Sequence, residues 1–213
     1  MSAFFADSEA GFTKFLEELA WLGIEKLSSL HDLAGFNCGD DEADRDLDAF
    51  LKEDALRQQV EHANVTYVAV SKGTGKVIGF VTILNDKLRV SSGEKKDLAI
   101  SSRYFDFPAI KIGKLAVSKE FKGKKIGTTL LRYVVGLALE SAEKTGCRFL
   151  IVDSIPKSVE FYLKKGFVKN LVQDQRKTMV VLEKPDGSLE PDKEYIRETV
   201  SLRLDLTNPV NKK

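Results

Sequence analysis

Apolar residues recur along this chain with two spacings, and each spacing predicts a different kind of element. Two runs rich in β-branched and aromatic residues, 65–71 and 77–84, flank the turn SKGTGK and predict a β-hairpin. Apolar residues three or four positions apart predict helices at 8–20, at 47–55 and at 126–138. Strands and helices are therefore expected to alternate along the chain.

Shorter patterns complete the predicted order of elements. Asp40 or Asp41 is suited to cap the helix before the hairpin. Pro156 and Gly166 mark the start and the end of a short helix, and Gly113 predicts either a bulge or a close backbone approach inside its strand. Further strands are expected at 22–30, at 109–118, at 147–153, from 167 onward and at 199–206.

The second half of the chain alternates strands with helices, which predicts an α/β (α+β) fold with a mixed sheet and helices on both faces. We expect one domain over residues 1–213, with a helical addition at 1–22. Two polar segments interrupt the pattern. Residues 85–106 are expected to form a long loop with a short helix, and 171–198 an irregular insertion that includes the apolar patch MVVL.

Composition argues against several classes of protein. The net charge of +1 is not that of a general polyanion binder. No apolar run reaches membrane-spanning length, and the acidic start MSAFFADSEAGF does not resemble a signal peptide. We therefore expect a cytoplasmic protein with no membrane partner. Cys38 and Cys147 lack the spacing of metal ligands, so we expect neither a metal site nor a disulfide.

Charge is distributed unevenly along the chain. Residues 40–62 carry nine acidic and three basic side chains, a net charge of −6. Residues 108–170 carry thirteen basic and five acidic side chains, a net charge of +8. These segments are either two solvated faces of opposite sign or a basic site for an anionic ligand beside an acidic surface that attracts a cation.

The basic segment SKEFKGKKIGTTLL lies where a strand passes into a helix. Backbone N–H groups in the first turn of a helix are unpaired and lie at the positive end of its dipole. Gly123 and Gly127 leave room for a phosphate, so the segment is either an anion-binding cradle or a solvated turn. Neither G-x-x-x-x-G-K-[ST] nor G-x-G-x-x-G occurs, which argues against a kinase, a GTPase and a Rossmann dehydrogenase.

A second motif further along the chain favours the cradle. The segments LAV, KGKKIG and FYLKKGF resemble the GCN5-related N-acetyltransferase (GNAT) superfamily. In that family a strand ending in LAV precedes Q/R-x-x-G-x-G/A, and a later helix ends in F-Y-x-x-x-G-F. The resemblance is best over 109–168. It implies a largely antiparallel sheet whose central parallel strands splay apart, acetyl-CoA as the acetyl donor, and an amine acceptor that attacks the thioester directly.

The resemblance also assigns a site. Tyr162 is implied to be the general acid that protonates the leaving thiolate of coenzyme A. The residues implied to bind acetyl-CoA are Leu115, Ala116, Val117, Lys122, Gly123, Lys124, Lys125, Ile126, Gly127, Thr128, Ser154, Ser158 and Phe161.

This chain departs from the family pattern at three positions. Lys122 stands where the family usually has Gln or Arg, and Lys125 stands where it usually has glycine. Ile155 stands where the family often has Asn or Asp, so a polar contact to the cofactor arm is either lost or supplied by Ser154 or Ser158.

The motifs do not identify a general base. His31 and His62 are the chain's only histidines and are candidates for proton transfer near neutral pH. Glu25 and Asp106 are candidates of the same rank, and a chain of waters reaching solvent is the remaining alternative.

The segment HDLAGFNCGDDEADRDLDAFL resembles the start of the acetyltransferase toxins of toxin–antitoxin pairs. The residues that fit are His31, Phe36, Cys38, Gly39, Leu47, Phe50 and Leu51. This resemblance implies acetylation of charged tRNA and an antitoxin partner, as an alternative to another small-molecule or macromolecular amine. A homodimer and a catalytically silent module that binds CoA or a partner also stay open. The acidic residues 40–62 argue against tRNA because they would repel its phosphates.

Overall fold

A computed structural model describes residues 20–171, 181–183, 189–191 and 199–207. The helix expected at 8–20 and most of the segment 171–198 therefore lie outside the described residues. In chain order the described elements are β1 (Leu22–Lys26), α1 (Glu42–Ala49), a π-helical turn (Phe50–Asp54), α2 (Ala55–Val60), β2 (Val65–Ser71), β3 (Val77–Arg89), α3 (Ser92–Asp97), β4 (Asp106–Val117), a 3-10 turn (Lys119–Phe121), α4 (Ile126–Thr145), β5 (Phe149–Ser154), α5 (Pro156–Leu163), β6 (Val168–Lys169), β7 (Val181–Glu183), β8 (Leu189–Pro191) and β9 (Val200–Asp205).

Seven strands form one sheet in the order β1-β2-β3-β4-β5-β9-β6. Among the described strands of this sheet, β4 and β5 pair in parallel, and every other pair of neighbours is antiparallel. The strands β7 and β8 form a separate antiparallel pair. The mixed, largely antiparallel sheet confirms the predicted fold class.

Helices cover both faces of the sheet, as the alternation of elements predicts. The helix α4 buries Ile126 and Leu130 in the larger apolar core on one face. The helical segment 42–60 covers part of the opposite face, where Leu51 lies in the same buried cluster as Phe80. Asp41 caps this segment by accepting a hydrogen bond from the backbone N–H of Asp44. Burial on both faces explains why β5 is almost continuously apolar.

The prediction of a loop over 85–106 was wrong at both ends of that range, because β3 continues to Arg89 and β4 begins at Asp106. The five residues that end β3 pair with the first five residues of β4. Within this extension Leu88 is buried, whereas Lys87 and Arg89 on either side of it are exposed. In this extension alternate residues of each strand face solvent, so polar residues are common in a segment that is nevertheless a strand. The expected short helix is present as α3. The strand expected at 22–30 ends earlier, at Lys26.

Gly113 forms the bulge that the sequence predicts. Thr82 pairs with Lys114, but the next residue, Ile83, pairs with Ile112, so Gly113 is the extra residue in β4. A bulge of this kind bends the strand and increases its twist. The bend lies where β4 leaves its parallel partner, and it therefore helps to create the site described below.

A buried ion pair joins α3 to the far end of the sheet. Arg203 Nη1 lies 2.7 Å from Glu94 Oε1, and Glu94 is only 2% exposed. Burial alone raises the pKa of Glu94, but hydrogen bonds from the backbone N–H groups of Ser91 and Leu171 and the charge of Arg203 outweigh it. Together they hold the pKa of this carboxyl below its usual value of 4.5.

We expect Glu94→Gln to lower the free energy of unfolding by roughly 3–5 kcal/mol, because Arg203 would stay buried without its anion.

The wild-type chain should also lose stability in acid. A carboxyl with a lowered folded-state pKa stabilises the fold above the unfolded value of 4.5, and this contribution disappears as pH falls below 4.5 through the folded value. Urea titrations at neutral and acid pH measure both effects. The exposed Glu140, which pairs with Lys144, provides the control Glu140→Gln; equal losses in the two variants would contradict the prediction.

Candidate active site

A cleft opens where β4 and β5 separate. Their parallel pairing joins 109–112 to 149–152 and goes no further. Beyond this point β4 stays paired with β3 as far as Val117, so the edge of residues 115–117 that faces away from β3 lies along the cleft. The cleft has a volume of about 870 Å³, which is large enough for an extended cofactor arm. The splay of these central strands is the one that the family resemblance implies.

The loop before α4 contains two residues in the left-handed backbone region. Gly123 has a φ of 82°, and Lys125, which directly precedes α4, has a φ of 62°. This conformation costs roughly 1–2 kcal/mol for a residue that carries a Cβ, which explains why glycine is usual at the position of Lys125 in the resembling family. The helix α4 then starts at Ile126, and the first turn of α4, 126–128, lines the cleft. The backbone N–H groups of such a turn are suited to bind an anion.

Gly127 leaves a narrow space between the two walls of the cleft. A Cβ at this position would lie 3.6 Å from Val117 Cγ2 and 3.7 Å from Leu115 Cδ2 on one side. On the other side it would lie 3.7 Å from Phe161 Cε2. A methyl group would therefore fit in ordinary contact, whereas a larger side chain would enter the space between β4 and α5.

Tyr162 lies in the last turn of α5 and lines the cleft. Its ring contacts Phe161 at 5.1 Å and Phe167 at 5.3 Å between centroids, and the residue is only 5% exposed. Burial raises the pKa of the Tyr162 hydroxyl well above its usual value of 10.0. The hydroxyl is therefore protonated near neutral pH, which is the state that a proton donor requires.

Ion pairs at the mouth of the cleft bring the acidic and the basic segment together. Lys157 Nζ, at the start of α5, lies 2.5 Å from Asp41 Oδ2 and 2.8 Å from Asp44 Oδ1. Lys122 Nζ lies 3.7 Å from Asp44 Oδ2. The hydrogen bond from Lys157 is the main reason that the pKa of Asp41 lies below its usual value. The two segments are therefore partly neutralised by each other at the cleft, and they are not two separate solvated faces.

The structure gathers nearly all of the predicted site residues around this cleft. Tyr162 and every residue expected to bind acetyl-CoA line it, with the exception of Lys124. The Lys124 ammonium instead lies 4.6 Å from the centre of the Phe121 ring. Ser154 and Ser158 both line the cleft near Ile155, as the expected replacement of a polar contact requires.

None of the four side chains named as candidate bases lines the cleft. His31 pairs with Glu25 at 3.4 Å and also exchanges hydrogen bonds with Ser28, so it has a local structural role. His62 is exposed beyond the end of α2. Asp106 pairs with basic side chains of β3 at the other end of β4. These positions remove the sequence-based grounds for proposing any of them as the base.

Sequence reasoning missed five charged residues that line the cleft: Asp41 and Asp44 of the α1 start, Lys114 of β4, Asp153 at the end of β5, and Lys157. A signal for two of them was present. Asp153 is a charged residue that ends an apolar strand, and Lys157 follows Pro156 at the start of the next helix. The ends of adjacent strands and the starts of the following helices are common positions for ligand contacts.

Cys38 also lines the cleft, but its thiol is inert. Burial and the neighbouring Asp48 carboxylate raise the pKa of Cys38 to about 12, so the thiolate is scarce at neutral pH. The Cys38 thiol donates a hydrogen bond to the backbone oxygen of Asp44 at 3.2 Å. This hydrogen bond gives Cys38 a structural role at the start of α1.

The splayed strands, the open helix start and the buried tyrosine define a protein of the acetyltransferase class. The model of the acetyltransferase (GNAT) family matches residues 26–167, and the chain belongs to this family. Members of the family transfer an acetyl group from acetyl-CoA, so the chain is an acyltransferase with a mixed α/β sheet.

Among individual proteins, the chain is similar to a tRNA-acetylating toxin of Mycobacterium tuberculosis (strain ATCC 25618 / H37Rv). The two are 24% identical over 130 residues, which are 61% of this chain and 74% of that toxin. The solved structure of AtaT complexed with acetyl-methionyl-tRNAfMet has a TM-score of 0.65 at 20% identity, covering 87% of this chain and 95% of AtaT. A tyrosine-to-phenylalanine mutant of KacT has a TM-score of 0.64 at 22% identity, covering 88% of this chain and 96% of KacT. A similar mutant of AtaT, bound to the C-terminus of the antitoxin AtaR and to acetyl-CoA, has a TM-score of 0.62 at 18% identity, covering 88% of this chain and 94% of AtaT.

Over the residues that the structure describes, no helix has both the length and the apolar character needed to cross a membrane.

Proposed function

We propose that this chain is an acetyl-CoA-dependent N-acetyltransferase that acetylates the α-amino group of an aminoacyl-tRNA by direct attack. The main observation in support is the cleft between the separated ends of β4 and β5, which the first turn of α4 and Tyr162 both line. The helix start offers N–H donors for phosphates, and the tyrosine offers a proton for a leaving thiolate.

In this proposal the cleft binds acetyl-CoA along its length. The N–H groups of 126–128 hold the pyrophosphate, with Lys122 and Lys125 adding positive charge at the mouth. The open edge of 115–117 pairs with the amide groups of the pantetheine arm, as an added strand would pair. One of its N–H groups polarises the thioester carbonyl, and a donor of this kind contributes roughly 3–4 kcal/mol in the transition state.

The proposed chemistry needs a proton donor and no covalent enzyme intermediate. The amine nitrogen attacks the acetyl carbonyl carbon, the carbon–sulfur bond breaks, and the electron pair goes to sulfur. Tyr162 gives its proton to that sulfur, and the nitrogen, which becomes positively charged on attack, loses a proton to solvent. The released proton balances the one that Tyr162 regains from solvent through the open cleft. The Tyr162 hydroxyl is protonated when the amine attacks, because burial raises its pKa above its usual value of 10.0.

An aminoacyl-tRNA acceptor has support from the relatives, since one is a tRNA-acetylating toxin and another was solved with acetyl-methionyl-tRNAfMet. The relatives do not support the expectation that residues 40–62 disfavour tRNA. Asp40 pairs with Lys119 at 3.4 Å, and the carboxylates of Asp41 and Asp44 pair with Lys157. The acidic charge nearest to the cleft is therefore largely compensated and repels phosphate weakly.

An antitoxin protein is the partner that we propose on the same basis. Relatives of known structure include AtaT bound to the C-terminus of AtaR and a KacTA–DNA complex. If the chain is a toxin, its expression should arrest growth, and coexpression of its antitoxin should restore growth.

Calorimetry with acetyl-CoA, followed by transfer of radiolabelled acetyl groups to a pool of charged tRNA, tests this proposal. We expect saturable acetyl-CoA binding, and label in charged tRNA that is lost when the aminoacyl ester is hydrolysed. Deacylated tRNA is the matched control and should take up no label. Transfer to small amines alone would remove the tRNA acceptor but keep the N-acetyltransferase. Binding without transfer to any amine would indicate a silent CoA-binding module, and absence of binding would contradict the proposal as a whole.

A further inference from the structure

We infer that Asp153 binds the primary ammonium group of the acceptor and thereby selects amines as substrates. This inference rests on the proposed acetyltransferase function, and it names the part of the cleft that receives the acceptor. It concerns a residue that lies outside the motifs that the sequence resemblance rests on.

Asp153 occupies the point at which the cleft begins. The preceding residue, Val152, is the last of β5 that pairs with β4. Val152 belongs to the apolar core that also contains α4 and Tyr162, whereas Ile151 belongs to a cluster on the opposite face. Because side chains alternate along a strand, Asp153 faces the side that Ile151 faces. Tyr162 and Asp153 therefore line one cleft from opposite faces of the sheet.

A primary ammonium already contacts this carboxylate. Lys111 Nζ lies 2.6 Å from Asp153 Oδ2 and 3.8 Å from Asp86 Oδ2. The ion pair with Lys111 engages one oxygen of this carboxylate, Oδ2. The side chain of Asp153 is 28% exposed and lines the cleft, so an acceptor amine can reach the carboxylate from the cleft.

The other acidic residues of the cleft are less suited to this role. Asp41 and Asp44 are engaged by Lys157 at the mouth, where Asp41 also caps α1. The charge of Lys111 has a second consequence. It partly offsets the charge of Asp153, so this carboxylate raises the pKa of the bound amine less than an unpaired carboxylate would. The amine can then lose its proton to solvent before it attacks.

Asp153→Asn tests the inference because it keeps the shape of the side chain and removes its charge. We expect KM for the acceptor to rise about tenfold to hundredfold, in line with the loss of one hydrogen bond to a charged group. We expect kcat to change much less, and the acetyl-CoA dissociation constant to stay within about twofold of wild type. The acceptor probes are charged tRNA and, in a separate arm, an amino-acid methyl ester, which presents the same ammonium without the nucleic acid.

Asp86→Asn is the matched control, since it removes the other carboxylate near Lys111 but lies outside the cleft lining. It should leave the acceptor KM nearly unchanged. An unchanged KM in Asp153→Asn with an active wild type would overturn this inference alone. Equal KM increases in both variants would also overturn it, because they would place the effect on Lys111. A wild-type chain that transfers acetyl to no amine would contradict the proposed function and this role together. Acetyl-CoA binding by each variant verifies that its cleft is folded.

Discussion

Gly127→Leu should abolish measurable acetyl-CoA binding, while Gly127→Ala should leave it nearly intact. A Cβ at Gly127 lies within 3.6–3.7 Å of Val117, Leu115 and Phe161, so a methyl group fills the space without a clash. The additional atoms of leucine must enter the region between β4 and α5, where the cofactor is proposed to lie. Loss of two or more charge-assisted contacts to the pyrophosphate corresponds to roughly hundredfold weaker binding or more.

The alanine variant makes this test specific. Both alanine and leucine favour helix over glycine, by up to about 1 kcal/mol, so neither substitution should unfold α4. Thermal unfolding measured beside calorimetry with acetyl-CoA separates the two effects. Binding retained by Gly127→Leu at unchanged stability would contradict the proposed path of the cofactor. Equal loss of binding in both variants would mean that Gly127 acts through its backbone and does not act by leaving space.

The elements that the sequence predicted well are those whose signals are local. The hairpin at 65–84 combines two apolar runs with a short polar turn, and Gly113 is a single-residue signal for a bulge. The extension of β3 to Arg89 was missed for a physical reason. Its solvent-facing side chains are polar, and its pairing partner, which begins at Asp106, is separated from it by α3. Pairing between distant segments leaves little trace in either segment alone.

The residues of the cleft fall into the same two groups, those with a local sequence signal and those that depend on contacts between distant segments. The first turn of α4 and Tyr162 belong to short motifs, so the sequence predicted them and the structure places both in one cleft. The hydrogen bond between Lys157 and Asp41 joins residues 116 positions apart, and the pair of Lys111 with Asp153 depends on strand register. Charge complementarity of the two segments was visible in composition, but its geometry follows only from the folded sheet.

Tyr162→Phe should lower turnover by about a hundredfold to ten-thousandfold, the range for loss of a positioned general acid. Acetyl-CoA affinity should change little, because the substitution removes only a hydroxyl and the ring keeps its packing against Phe161 and Phe167. Because burial raises the pKa of Tyr162 above 10.0, the proton remains bound as pH rises towards that value. Any decline of the wild-type rate below pH 10.0 should therefore also occur in the phenylalanine variant.

Tyr133→Phe is the matched control for this prediction. Tyr133 packs edge to face on Tyr67 with centroids 5.0 Å apart and lies outside the cleft lining, so its variant should keep wild-type turnover. Single-turnover rates at saturating acetyl-CoA report the chemical step apart from binding and product release. Wild-type rates in Tyr162→Phe would remove the tyrosine as the acid, and the thiolate would then leave without a proton from the enzyme. A large rise in the acetyl-CoA dissociation constant would instead assign the hydroxyl to cofactor binding.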